Sequence, residues 1–304
     1  MIHSNKDAKY TRRTFMTTTG VAAAACGLEA MTGPGIEARA GTVRDHLWLF
    51  TVPANTDFES VQRRSLMTPA ESGLYFDIPN LIIVQADTTE AKYGRFELPF
   101  AQYAIALRPF KRIVWSVTGS GGINSEAETR EVMKLARSTP NFTGIMFDDF
   151  FSSKKEGKKA VFTVEELGRI RQELKSIGTR LDILATYYTQ LLDLDLSEYL
   201  KLIDVLTLWT WRSAEIPDIE KNLTRLDNVA PNTRKMLGCY MYDFDLRKSV
   251  AIPAMEQQCE TGLRLLKQKR IEGMIFLSNT VADLGFESVE WTRNWIQKVG
   301  DTKV

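Results

Sequence analysis

Histidine is nearly missing from this chain: its 304 residues include two, His3 and His46. A single imidazole in the body of the protein excludes multi-histidine zinc sites. It also leaves His46 as the sole base for any Ser-His-Asp arrangement. A net charge of either sign is missing as well. Lys and Arg number 39 against 38 Asp and Glu, so the chain offers no basic footprint for nucleic acid and no acidic tail. Cysteine is scarce. Beyond Cys26 only Cys239 and Cys259 remain, which leaves either one Cys239–Cys259 disulfide or two buried thiols. With histidine absent, acid and base chemistry falls to Asp, Glu or Tyr.

The first forty residues read as a targeting segment rather than as part of the fold. Thr11-Arg12-Arg13-Thr14-Phe15-Met16 resembles a twin-arginine export signal. The small, mildly apolar stretch from Met16 to Ala25 is too short to span a bilayer as a helix. Ala38-Arg39-Ala40 offers an A-x-A cleavage site, so the mature chain is expected to begin near Gly41. The alternative is Ala23-Ala24-Ala25-Cys26, which resembles a weak lipobox and would anchor the chain through a lipid on Cys26. Export to the periplasm or the exterior follows from either, with the twin-arginine machinery as partner of the precursor and no stable transmembrane segment. Such a route discounts the sequons at Asn141 and Asn222.

From Gly41 onward, apolar or β-branched runs recur every thirty residues or so. They begin at His46, Leu81, Arg112, Phe142, Leu181, Leu202, Arg234 and Ile271. Most are near-continuously apolar, as in strands covered on both faces. Between most of them lie stretches of helical period, at 126–137, 164–177, 252–269 and 289–299. Eight such units in residues 41–304 predict an α/β fold, a single (β/α)8 TIM-type barrel. A dinucleotide-binding sheet lacks its fingerprint, because no Gly-x-Gly-x-x-Gly follows the first strand. Thr118-Gly119-Ser120-Gly121-Gly122 lacks the Gly-Lys-Ser/Thr ending of a phosphate loop and reads as a flexible loop over the barrel mouth.

The most informative stretch is Phe142 to Phe151, FTGIMFDDFF, an apolar strand ending in two adjacent carboxylates. Alternation places Asp148 on one face with Met146 and Gly144, while Ile145 and Phe147 take the other. A charge at the end of a buried strand needs a partner or a task. Barrel chemistry resides at the carboxyl ends of the strands, and there the sequence concentrates aromatics and carboxylates. The candidates are Asp87 after strand two, Trp115 on strand three, Asp148 and Asp149 after strand four, and Tyr187 and Tyr188 on strand five. Strand six adds Trp209 and Trp211, strand seven Tyr240, Tyr242, Asp243 and Asp245, and strand eight Asn279. Tyr187 and Tyr188 point to opposite faces, so at most one enters the site. Tyr240 and Tyr242 share a face, which leaves Asp243 on the other unless the strand's end turns it inward.

Aromatic platforms with two carboxylates and no histidine suit glycoside hydrolysis, in which one carboxyl protonates the leaving oxygen and a second acts as nucleophile or activates water. The layout resembles that of (β/α)8 glycoside hydrolases, on the strength of GIMFDDFF and CYMYDFD. The resemblance implies catalytic Asp148, with Asp149 beside it and Asp243 across the mouth, a carbohydrate substrate and no cofactor. It implies a substrate-binding role for Asp87, Trp115, Tyr187, Tyr188, Trp209, Trp211, Tyr240, Tyr242 and Asn279. Chitinase-like enzymes show a related hydrophobic-Asp run, but Phe150 or Phe151 stands where their terminal Glu would be. Glu215 is the nearest Glu, in the loop after strand six. Two other readings stay open: Asp148, Asp149, Asp243 and Asp245 holding Mg2+ or Ca2+ for a lyase or hydrolase, or a barrel that binds sugar without turnover.

Overall fold

Each of the eight apolar runs forms a parallel strand, and the eight close on themselves. In the computed structural model, residues 41–56, 61, 63–86, 94–152 and 157–304 are described. The expected leader, with Arg12, Arg13 and Cys26, lies outside the described residues, as does Asp87. The barrel strands are β1 (Leu47–Thr51), β2 (Asn80–Ile83), β3 (Arg112–Thr118), β4 (Phe142–Phe147), β5 (Asp182–Tyr188), β6 (Val205–Trp209), β7 (Arg234–Tyr240) and β10 (Gly273–Leu277). A two-stranded antiparallel ribbon, β8 (Tyr242–Asp243) with β9 (Lys248–Ser249), follows β7. Going round the barrel the order is β1-β10-β7-β6-β5-β4-β3-β2.

The helices are α1 (Pro69–Phe76), α2 (Ala101–Ala106), α3 (Glu126–Ser138), α4 (Val164–Ser176), α5 (Ser197–Leu200), α6 (Ile219–Val229), α7 (Ile252–Lys267) and α8 (Glu287–Val299). Local chemistry fixes several starts. Thr68 with Glu71 and Thr163 with Glu166 form reciprocal capping boxes, and Ser125 caps α3 by accepting from the Glu128 amide. The four helices expected from their period are present. The other four, implied by the eightfold alternation, were not located by period: α2 and α5 are too short to show one, and α1 carries Gly73 in its middle. A Cβ at Gly73 would lie 2.2 Å from Phe110 Cε1, so packing rather than helix propensity selects that residue. The apolar stripe of α6 rests on Ile219, Leu223 and Leu226.

Two apolar layers result. The barrel interior holds Trp48, Phe50, Ile82, Val114, Met146, Leu184, Val205, Trp209, Met236, Tyr240 and Ile275. The alternate residues of the same strands, including Leu49, Ile83, Trp115, Ile145, Phe147, Tyr187, Leu208 and Phe276, pack beneath the helices. Cys239 and Cys259 are free, buried thiols in this outer layer, which resolves the open question in favour of thiols. Among the described residues no helix is long and apolar enough to cross a membrane.

Candidate active site

Strand β4 stops pairing at Phe147, and Asp148 and Asp149 form the turn beyond it. Hydroxyls from the neighbouring strands complete this turn. Thr118 Oγ1 donates to the Asp148 carbonyl at 2.6 Å, and the Asp148 amide donates to Ser116 Oγ at 3.3 Å. The Asp149 amide donates to Thr186 Oγ1 at 2.8 Å. Asp149 takes a left-handed conformation, φ 43°, a region that Asp and Asn tolerate best among non-glycine residues. The sharp reversal lets two adjacent carboxylates border one cavity, which strict strand alternation would forbid.

Asp148 is 4% exposed. Burial first, and the neighbouring Asp149 charge second, push its carboxyl well above the usual carboxylate range, and the Asp149 backbone N–H offsets only part of this. Asp149 has different partners. Tyr188 Oη donates to Asp149 Oδ1 at 2.6 Å, and the Gly121 amide donates to Oδ2 at 2.8 Å. The glycine-rich loop after β3 is thus tied to the carboxylate rather than free over the mouth. Tyr188 and Tyr240 are both driven well above the ordinary tyrosine range, chiefly by burial, and a side-chain hydrogen bond links their hydroxyls.

These groups border a cavity of about 160 Å3 at the carboxyl end of the barrel. On one side stand Asp148, Asp149, Thr186, Tyr188 and Ser120; on the other stand Phe50, Trp209, Trp211, Tyr240 and Phe244, with Val52 and Leu277. The aromatic side is continuous. Trp211 lies near-parallel to Phe244 at 6.1 Å between centroids and meets Tyr188 and Tyr240 edge-on at 6.2 and 5.9 Å. Trp209 forms a buried part of the wall between Phe50 and Tyr240, with its indole N–H donating to Thr207 Oγ1 at 2.9 Å. Gly238 makes its place, since a Cβ there would sit 2.1 Å from the indole.

Of the sequence candidates, Asp148, Asp149, Tyr188, Trp209, Trp211 and Tyr240 meet in this cavity. Five others do not. Trp115 lies on the helix side of β3, level with Ile83 and Ile145, stacked on Phe100 at 5.0 Å. Tyr187 also faces the helices and donates to the Leu191 carbonyl. Tyr242 does not continue the face of Tyr240, because β7 ends at Tyr240 and the chain turns into the ribbon, where Tyr242 packs on Phe286.

Asp243 is committed to backbone and hydroxyl donors: Oδ2 accepts from the Ser213 amide at 3.0 Å and from Ser213 Oγ at 2.5 Å, and Oδ1 from the Leu246 amide at 2.8 Å. Burial opposes its charge, but these hydrogen bonds outweigh it and hold the carboxyl below the usual range. Asn279 fastens the end of β1, accepting from the Val52 amide and donating to the Val52 and Met67 carbonyls.

Asp245 and Glu215 both face Arg212, at 3.2 and 3.7 Å. The four aspartates once grouped as a cation site therefore do not converge, and no cluster of three His, Cys, Asp or Glu forms among the described residues. The sequence reading overlooked Phe50, Thr186 and Ser120. Alternation on β1 would have found Phe50 as the interior neighbour of Trp48. Phe244 sits beyond the end of β7, where no period carries a signal.

No family model and no curated protein sequence matches this chain. Solved structures resemble it in fold. The catalytic domain of a hyperthermophilic chitinase from Pyrococcus furiosus is 11% identical, with a TM-score of 0.56 over 86% of this chain and 99% of that one. A putative α-L-fucosidase from Bacteroides thetaiotaomicron is 8% identical, with a TM-score of 0.54 over 90% and 100%. YKL-39, solved in the presence of chitooligosaccharides, is 14% identical, with a TM-score of 0.52 over 82% and 98%. At such identities the likeness is one of fold.

Proposed function

We propose that this chain is a carbohydrate-active barrel that hydrolyses glycosidic bonds, with Asp148 as the general acid. The observation that carries the reading is the cavity itself, a continuous aromatic wall facing a buried carboxyl whose neutral form is favoured by burial and by the neighbouring charge, beside a second carboxyl fixed by two donors. A sugar ring stacks its C–H face on the wall, and Asp148 gives its proton to the leaving oxygen as the glycosidic C–O bond breaks. Water adds to the anomeric carbon, its released proton restoring the Asp148 carboxyl. Asp149, with its carboxylate oriented by Tyr188 and Gly121, faces the positive charge that develops on the ring. The chitinase and fucosidase folds support the same substrate class. Export of the precursor through its twin-arginine segment belongs to this proposal and is tested by Arg12→Lys with Arg13→Lys, which should hold the precursor in the cytoplasm.

A second reading, binding without turnover, is favoured by one observation. Asp243, the carboxylate expected across the mouth, is tied to Ser213 and Leu246, and among the described residues no other carboxylate joins Asp148 and Asp149 at the cavity. Asp148→Asn separates the two. Under the first reading hydrolysis falls at least about a hundredfold while oligosaccharide affinity is kept. Wild-type protein that binds oligosaccharides of every linkage offered and cleaves none of them supports the second.

A further inference from the structure

Among the described residues no Lys, Arg or His borders the cavity, whereas Asp148 and Asp149 both do. Lys158 lines an adjoining cleft that Asp149 also borders. The two donors that hold the Asp149 carboxylate, the Tyr188 hydroxyl and the Gly121 amide, are both neutral. Arg212, next in sequence to Trp211, is turned to Asp245 and Glu215 instead. Opposite the carboxylates stands a wall of π faces and edges from Trp211, Phe244 and Tyr240, and Tyr188, on the carboxylate side, meets Trp211 edge-on. Aromatic faces attract cations through their quadrupole, and the half-buried Asp149 carboxylate that faces them adds a Coulombic attraction.

We propose that the ligand of this cavity carries a positive charge, as a sugar bearing a free ammonium group. Its ring lies on the Trp211–Phe244 wall and its ammonium faces Asp149. This rests on the carbohydrate reading above and narrows it from sugars in general to amino sugars that are not acylated. Burial and the Asp149 charge favour the neutral form of Asp148, and the groups that face it, Asp149 from its own turn, Tyr188 from β5 and Tyr240 from β7, include no cation. The ammonium supplies at Asp149 the positive charge that no described residue of the cavity lining brings.

The test is titration of the full chain at pH 6 with three β-1,4 tetrasaccharides of equal length, built from glucosamine, N-acetylglucosamine and glucose. A second pair of probes, choline and its uncharged isostere 3,3-dimethylbutan-1-ol, reads the charge preference without a sugar, by tryptophan fluorescence. The charged member of each set should bind at least about tenfold tighter, about 1.4 kcal/mol. Asp149→Asn, which a left-handed backbone accepts, should abolish that preference while leaving the uncharged ligands bound. Equal affinity for glucosamine and glucose oligomers, or for choline and its isostere, would overturn the inference, as would no saturable binding of any probe. A choline preference with no sugar bound leaves the charge inference standing and removes the carbohydrate reading. Uncharged sugars bound and cleaved without preference do the reverse.

Discussion

Asp148 and Asp243 carry the same side chain into opposite surroundings. Asp148 is enclosed beside another carboxyl and favours its neutral form, whereas Asp243 is surrounded by donors and favours its charge. Their pH signatures therefore have opposite sign. The stability that the neutral form of Asp148 contributes is complete below the ordinary carboxylate range and is lost as pH rises through its raised value. That of Asp243 is present at neutral pH and lost as pH falls through its depressed value. Removing the acceptor by Asp243→Ala strands the Ser213 and Leu246 donors, and should lower unfolding free energy in urea by about 1–3 kcal/mol without changing the affinity of the folded fraction for sugar. The two tryptophans divide similarly. Trp209 is 1% exposed and Trp211 is 38% exposed. Trp209→Ala should cost about 3–5 kcal/mol of stability, read as a lowered melting temperature. Trp211→Ala should leave melting nearly unchanged and weaken ligand binding. A normal affinity in Trp211→Ala would remove the stacking wall from the proposed site.

At the scale of elements, the site depends on how two loops meet. The β4 turn places Asp149 with its carboxylate outward, and the Ser120–Gly122 segment after β3 closes on it through the Gly121 amide. Gly121 and Gly122 both have φ of 72°, and a Cβ on Gly122 would lie 3.0 Å from the Asp149 carbonyl oxygen and 2.9 Å from Val161 Cγ2. Gly122→Ala thus combines left-handed strain, on the order of 1–2 kcal/mol, with displacement of the loop from Asp149. The expected outcome is a small drop in melting temperature with a larger loss of ligand affinity; unchanged affinity would show that the loop does not hold the carboxylate in place.

For the molecule as a whole, the carboxyl end of the barrel holds the cavity while the opposite end holds salt bridges. Arg234, at the start of β7, pairs with Asp182 and with Glu272, and His46 Nδ1 meets the Glu272 carbonyl at 2.9 Å. Burial raises the Glu272 carboxyl to about 7, against the opposing pull of Arg234. A folded value above the unfolded one means that the folded state holds the extra proton. Stability is then greatest below about pH 4.5 for this group and declines as pH rises toward 7, by on the order of 3 kcal/mol across the range. Glu272→Gln should flatten the melting temperature between pH 4.5 and 7. A slope identical to wild type would mean that the charged form is no less stable there.

Fold class was legible because it rests on repetition. Eight apolar runs at a steady spacing define the strands, and the two-residue alternation within FTGIMF or LDILATYY assigns inner and outer faces before any neighbour is known. Asp148 was found in that way, and the same parity set Tyr187 and Tyr188 on opposite faces without choosing between them. The rest was decided by where pairing stops. Alternation holds only while a strand is hydrogen-bonded to its neighbours, so it fails at Tyr240, where the chain leaves β7 for the ribbon and carries Tyr242 and Asp243 away from the cavity. It fails again at Phe147, where a left-handed Asp149 brings two adjacent carboxylates to one opening. Phe244 enters the wall, and Asp243 and Asn279 become fasteners for loops, through contacts with residues distant in sequence. Local stereochemistry determines a strand's two faces; the hydrogen-bond partners that end the strand are supplied by the rest of the fold.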